Sequence, residues 1–354
     1  MNVVEFMTRA VESGASDIFL VPGMPYSYKL GGSILYQGET RILPAEMNQV
    51  ISEVYKLANR RDITKVTKAG DDDFSFAIPG VSRFRASVML QRGSLAAIIR
   101  IVRFELPDFD KLHIPKEVIN IASFTKGLVL VTGPAGSGKS TTLACLVDEI
   151  NRTRNAHVIT LEDPIEFLHR HNKGVITQRE IGTDTESYMV GLKAALRQAP
   201  DVILLGEMRD YETIKTAMTA AETGHLVLST LHTIGAANSI TRIIDSFPSN
   251  QQEQIRTQLA MVLQAVVSQQ LIPVEGEKEE RAAWETMFVN NAIRTMIRES
   301  MVHQIDGVIA SSGEAGMMTM DNSIYKLYKD GIISADNAII HSLNSELMAK
   351  KINR

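Results

Sequence analysis

Gly133-Pro134-Ala135-Gly136-Ser137-Gly138-Lys139-Ser140 is a complete G-x-x-x-x-G-K-[ST] phosphate-binding loop. It follows the apolar run Gly127-Leu-Val-Leu-Val-Thr132 and leads into a helix-like stretch, Ser140–Ile150. Both flanks matter. A strand delivers the chain to a turn, glycines let backbone N–H groups crowd round a phosphate, and the helix N-terminus adds a favourable dipole. The expected cradle is Gly133, Pro134, Ala135, Gly136, Ser137, Gly138, Lys139, Ser140 and Thr141. Lys139 is spaced to reach the β- and γ-phosphates and the Ser140 hydroxyl to ligate Mg²⁺. A Gly-rich turn without a ligand is the alternative, and the strand and helix on either side speak against it. A nucleoside triphosphate, ATP with Mg²⁺, is the expected ligand.

Composition bounds the rest. The chain has 354 residues, enough for two domains, and the apolar and charged fractions of an ordinary globular protein. A formal net charge of −4 gives no general case for nucleic-acid binding, so any basic site must be local. The single Cys145 excludes internal disulfides and multi-cysteine zinc modules, and a buried structural thiol is the expected role. No run of about 18 apolar residues is present, and Met1–Phe6 lacks a basic region followed by an apolar core. A cytoplasmic location is therefore expected.

The first 110 residues have the pattern of a small α+β unit, with helices over Val3–Glu12 and Glu46–Arg60 and short strands over Asp17–Val21 and Tyr26–Leu30. Further strands run from Phe74 to Val102, and Phe104–Pro115, with two prolines, is the linker candidate. Beyond it, Leu128–Thr132, Val158–Leu161, Val202–Leu205 and Leu226–Leu231 are continuous apolar runs separated by helical stretches. That alternation predicts an α/β domain, 111–354, with a parallel sheet covered on both faces. From about residue 290 the pattern is mostly helical.

Ligands on such sheets lie beyond the carboxyl ends of the strands. Those ends carry Glu162-Asp163-Pro164-Ile165-Glu166, Gly206-Glu207-Met208-Arg209-Asp210 and His232-Thr233. Carboxylates here have two tasks, holding Mg²⁺ through its waters and activating the attacking water. Glu162 is assigned to water and Glu207 to Mg²⁺ beside Ser140, with the reverse assignment open. Asp163 and Glu166 could instead be solvated surface acids. His232 sits at the nucleotide edge, where it could contact the γ-phosphate. His225, about 20 Å away along the same strand, has a packing or subunit-contact role. The first unit concentrates arginines without lysine: Arg83, Arg85, Arg92, Arg100 and Arg103. Arg83 and Arg85 share a strand face, and guanidinium forks suit phosphate. They are candidates for arginine fingers reaching a nucleotide, possibly one held by a neighbouring subunit; pairing with Asp71–Asp73 is the alternative.

Together these elements resemble the secretion ATPase superfamily, the motors of type II secretion and type IV pili. Leu196-Arg-Gln-Ala-Pro-Asp-Val-Ile-Leu-Leu-Gly-Glu-Met-Arg-Asp210 is similar to its signature around the Walker B glutamate, Glu162–Glu166 to its Asp box and Ala221–Thr233 to its His box. Within the superfamily the pilus-retraction branch fits best. Ala292-Ile-Arg-Thr-Met-Ile-Arg-Glu299 resembles that branch's Ala-Ile-Arg-Asn-Leu-Ile-Arg-Glu, with Thr295-Met296 substituted, and Ser16-Asp17-Ile18 resembles its N-terminal motif, with Phe19 where a histidine is usual. The resemblance implies a PAS-like N-terminal domain (1–110) and a RecA-like P-loop ATPase domain. It implies homohexameric rings in which N-terminal arginines complete the ATP site, acting on an inner-membrane pilus platform protein from the cytoplasmic face and disassembling pilin. Arg294 and Arg298 lie on one helix face, either as a partner-binding stripe or as a solvated face. The competing readings are an extension or secretion motor, a low-turnover ATP-binding accessory subunit, and a helicase. The helicase lacks a basic, aromatic-interleaved stretch.

Overall fold

The computed structural model describes residues 2–59, 61–102, 106, 108–276 and 279–353. Arg103, Arg60 and parts of the linker candidate lie outside them. The chain divides into two compact units, Met1–Glu105 with Pro164–Leu168, and Leu106–Asp163 with His169–Arg354.

The first unit is an antiparallel sheet of β1 (Asp17–Leu20), β2 (Ser27–Leu30), β3 (Ser33–Tyr36), β4 (Asp71–Ile78), β5 (Ser82–Gln91) and β6 (Ser94–Val102), in the order β3-β2-β1-β6-β5-β4. The helix Val3–Glu12 buries Val3, Phe6, Met7 and Ala10, one stripe at helical spacing, and the Asn2 side chain caps it by accepting from Val4 N–H at 2.9 Å. Pro44 opens the helix Pro44–Leu57, whose buried face is Met47, Ile51, Val54 and Tyr55. Along β5, Phe84, Ala86 and Val88 are buried while Arg83 and Arg85 share the opposite face. Gln91 pairs with Ser94 across a two-residue turn in which Arg92 and Gly93 have φ of 49° and 77°. Positive φ at both central residues is the geometry that matches strand twist, so the turn sets the backbone at Arg92.

Within Asp71–Asp73, Asp72 is held by an arginine outside the group at 83–103. Asp72 is buried and takes a two-pronged contact from Arg61 at 2.7 and 2.8 Å, together with the Tyr55 hydroxyl at 3.1 Å. Arg61 also lies over the Phe74 ring, 5.0 Å from its centroid. Burial pushes the Asp72 carboxyl up, but the hydrogen bond and charge of Arg61 outweigh it and hold the group below its ordinary value. Arg100 pairs with Asp17 at 3.2 Å instead.

The second unit holds β7 (Gly127–Thr132), β8 (His157–Glu162), β9 (Val175–Glu180), β10 (Val202–Leu205), β11 (Leu226–Leu231), β12 (Leu263–Pro273) and β13 (Glu280–Phe288). Their order is β13-β12-β7-β11-β10-β8-β9. The sheet is therefore mixed, not purely parallel: β13 runs antiparallel to β12, and the other pairings are parallel. Its centre is buried on both faces. Leu128 and Leu130 point into one apolar layer, with the helices Tyr211–Glu222, Ala236–Asp245 and Gln252–Val262, while Val129 and Val131 point into the other, with the helix Lys139–Thr153. Cys145 lies in that second layer, and burial pushes its thiol up to about 12, consistent with packing. Five α-helices between Asn291 and Ile352 follow, and Ile324, Ile333 and Ala338 pack on Ile272 and Ala283 of the β12–β13 pair.

In the helix Asn291–Arg298, Arg294 departs from the expected stripe. Its guanidinium donates to the carbonyls of Ala260 (2.6 Å) and Met261 (3.1 Å), closing the C-terminus of the helix Gln252–Val262. Arg298 stays exposed, with a bond to Thr295 at 3.2 Å. Arg294 is thus a packing residue, and only Arg298 presents charge outward.

Because the Asp72 carboxyl titrates lower when folded than when unfolded, its contribution is present above the unfolded value and is lost as pH falls through the folded one. Asp72→Asn is expected to cost about 3 kcal/mol at pH 7, leaving Arg61 without its counter-charge. It should also flatten the acid limb of stability, as urea unfolding from pH 7 to pH 3 would measure.

Candidate nucleotide site

The parallel register lines up the functional strand ends. Thr132 lies opposite Leu231, Ser229 opposite Leu205, and Leu205 opposite Leu161. Beyond these positions emerge, in order across the sheet, the loop 133–140 from β7, His232 from β11, Gly206-Glu207 from β10, and Glu162, the last residue of β8. At about 4.8 Å between strands, Glu207 starts roughly 10 Å and Glu162 roughly 14 Å from the strand that carries the loop.

Pro134, Ala135 and Gly136 form the exposed crown of the loop, Ser137 is buried, and Ser140 and Thr141 are half-buried in the first helical turn. Lys139 Nζ donates to the carbonyls of Gly133 and Pro134, both at 2.8 Å, and is 8% exposed, so the ammonium is folded over the loop. Gly133 has φ of 143°, and a Cβ there would come within 2.1 Å of the Gln269 carbonyl oxygen. Gly138, at φ 86°, starts the helix Lys139–Thr153 in the left-handed region. A cavity of about 210 Å³ beside the loop is lined by Gly138, Thr141, Thr142, His113, Arg281 and Trp284 among others.

Glu162 is half-buried, and its Oε1 accepts from the Thr160 hydroxyl (2.6 Å) and from Gln178 Nε2 (3.3 Å). Glu207 forms an ion pair with Arg209, and its other oxygen lies 3.6 Å from His232 Nε2. The Tyr188 hydroxyl lies over Gly206, 2.8 Å from where a Cβ would stand, so this strand end accepts glycine and the acid moves to the next residue. Burial raises the Tyr188 phenol above its ordinary value, and the charges of Glu207, Asp163 and Glu162 add to the rise. Asp163 is exposed. Glu166 falls in Pro164–Leu168, which belongs to the first compact unit. Asp210 is structural, capping the helix Tyr211–Glu222 through Thr213 N–H at 2.8 Å. His225 packs against the Ala220 carbonyl at 2.9 Å, at the strand end away from the loop. Arg83, Arg85, Arg92 and Arg100 all lie in the first unit, while the loop lies in the second.

The donors fit Mg²⁺ of the kind that keeps its waters and leans on phosphate oxygens. Ser140 offers one hydroxyl and Glu207 one carboxylate. Among the described residues no group of three or more His, Cys, Asp or Glu is placed to hold a metal alone.

Three residues escaped the reading of strand ends. Gln269 Oε1 accepts from the Thr142 hydroxyl at 2.8 Å, and its Nε2 donates to the Ser137 carbonyl. Ser268 accepts from Gly235 N–H at 3.0 Å. Glu285, 3% exposed, accepts from Ala236 N–H at 2.7 Å and Met320 N–H at 3.2 Å, and its carboxyl is raised by burial. The loop after His232 is thus tied to β12 and β13. The one available signal was a run of polar residues, Ser268-Gln269-Gln270, inside an otherwise apolar segment.

Residues 2–334 match the family model described as Type II/IV secretion system protein. The chain belongs to that family. It is 40% identical over 338 residues to the type IV pilus retraction ATPase PilT of Pseudomonas aeruginosa, covering 96% of this chain and 97% of that protein. It is 36% identical to the type IV pilus ATPase PilU of the same organism, covering 97% and 89%. A solved structure of the pilus retraction motor PilT with bound ADP superposes with a TM-score of 0.88 at 43% identity, over 98% of both chains. The family member described here is a P-loop ATPase with an N-terminal α+β domain and a RecA-like domain.

Gly133→Ala is expected to disrupt the site, since the added carbon meets backbone and the φ is one that L-residues rarely adopt. Binding of a fluorescent ADP analogue should fall at least tenfold, and the melting temperature should drop. Unchanged binding would show that the loop tolerates displacement from β12.

Proposed function

We propose that this chain is an ATP-driven motor of type IV pilus retraction, working as a homohexameric ring against an inner-membrane platform protein at the cytoplasmic face of the membrane. The observation that carries the reading is the alignment of loop, His232, Glu207 and Glu162 along one sheet edge, in a chain 43% identical to a retraction motor that binds ADP.

The residues would divide the work as follows. The amides of 133–140 and Lys139 bind the phosphates, Lys139 exchanging its two carbonyl partners for phosphate oxygens. Ser140 and Glu207 would hold Mg²⁺, which supplies charge neutralisation at the β- and γ-phosphates. Arg209, ion-paired with Glu207, orients that carboxylate for the task. Glu162, farther from the loop and oriented by Thr160 and Gln178, accepts the proton of the attacking water. His232, beside Glu207, contacts the γ-phosphate. Arg83, Arg85, Arg92 and Arg100 are the candidates for completing the site of a neighbouring subunit.

Glu162→Gln should leave nucleotide binding intact and lower kcat by about 100-fold or more, while Lys139→Ala should abolish turnover. Full activity of Glu162→Gln would move the base to Glu207. Deleting the gene should give excess pili that no longer withdraw; absent pili would instead mark an extension motor. The substitutions at Thr295-Met296 and Phe19 keep an accessory motor as the second reading. In that case deletion would weaken twitching without piling up fibres.

A further inference from the structure

Gln269 sits in the middle of β12, 2% exposed, next to the strand that carries the phosphate loop. One side chain engages both halves of the nucleotide-binding element. Its Oε1 accepts from the Thr142 hydroxyl in the helix (2.8 Å), and its Nε2 donates to the Ser137 carbonyl in the loop. The same nitrogen lies 3.0 Å from where a Cβ of Gly138 would stand, and the Gln269 backbone carbonyl closes over Gly133. Neither an aliphatic side chain nor an ionised carboxylate of this length can both donate and accept in this way; a primary amide can.

The consequence is directional. In a planar trans peptide the C=O and N–H point to opposite sides. Drawing the Ser137 carbonyl toward β12 therefore turns the Gly138 N–H away from it. We propose that Gln269 is a positioning residue for nucleotide binding, an amide clamp that fixes the Ser137–Gly138 peptide so that its N–H faces the phosphate. The proposal rests on reading 133–140 as the nucleotide site. It adds a determinant outside the loop motif, 132 residues downstream of Ser137, and makes β12 part of the binding element. Thr142 gives the clamp its second anchor, and the Ser137 carbonyl, an acceptor only, fixes which end of the amide faces the loop.

The decisive variant is Gln269→Glu. At neutral pH the introduced carboxylate can still accept from Thr142 but opposes the Ser137 carbonyl, oxygen against oxygen. When protonated it donates again. Burial raises the pKa of such a group, so the clamp should recover on mild acidification. The ionisable groups near Gln269 are Lys139 in the loop and Lys111, His113, Glu279, Glu280 and Arg281 around the adjoining cavity. Measuring the wild type alongside at each pH removes their contribution. The readout is the Kd for a fluorescent ADP analogue from pH 5 to pH 8.5, with melting temperature followed in parallel.

Gln269→Glu should bind about tenfold more weakly than wild type at pH 8, the scale of one lost buried hydrogen bond with its partner left unmade. The gap should close toward pH 5. Wild-type affinity at pH 8, or a deficit equal at every pH, would overturn the proposal. If Gln269→Glu does not fold, Gln269→Met keeps the length without either bond and should show the same tenfold loss at every pH; wild-type affinity in that variant would overturn the proposal. Failure of the wild type to bind nucleotide would instead sink the reading of the loop itself, a separate result.

Discussion

Parallel strands finish on the same side of a sheet, and the ladder β7-β11-β10-β8 uses that fact to gather side chains that are far apart in sequence. Thr132, Leu231, Leu205 and Leu161 are locked in register by backbone hydrogen bonds. Every residue that follows them inherits its place from that register. A slip of one residue in any pair would exchange the side chains packed into the two apolar layers, so the packing on both sides of the sheet enforces the register. The layers in turn need the helix Lys139–Thr153 on one face, and that helix begins only because the loop ends in a glycine free to take φ of 86°. The loop and the core are therefore conditions of each other.

A second constraint comes from polar residues in a place where apolar ones would pack more simply. Ser268 and Gln269 are adjacent in β12 and point to opposite faces. One holds the loop after His232 and the other holds the phosphate loop. Glu285, on the paired strand, holds the start of Ala236–Asp245 and of Met320–Lys329 together. Each of these side chains is buried, so each must keep its partners or carry a desolvation cost. The C-terminal helices are thereby connected to the edge of the site through satisfied hydrogen bonds in addition to apolar packing.

The parts that were legible in sequence were those with a strong local signal. The loop motif, the four apolar strands and the helix Val3–Glu12 follow from spacing, as does the second helix, expected over Glu46–Arg60 and found at Pro44–Leu57. The strands β9, β12 and β13 did not, because Gln, Ser, Thr and Glu interrupt their apolar character and their partners lie far away in the chain. Arg294 looked like surface charge because helical spacing says which face a residue occupies, but not that two carbonyls of another helix end against it. The Asp71–Asp73 run looked like a partner for the nearby arginines, whereas Arg61, which no motif marks, reaches Asp72 and stacks on Phe74.

The central claim is that turnover at the loop 133–140 drives pilus withdrawal. The most direct measurement is live-cell imaging of fluorescently labelled pili in cells whose only copy of this gene carries Glu162→Gln. The account predicts pili that still extend but withdraw rarely or not at all, with the variant protein present at normal levels and still binding nucleotide. Withdrawal at the wild-type frequency and speed in those cells would contradict it.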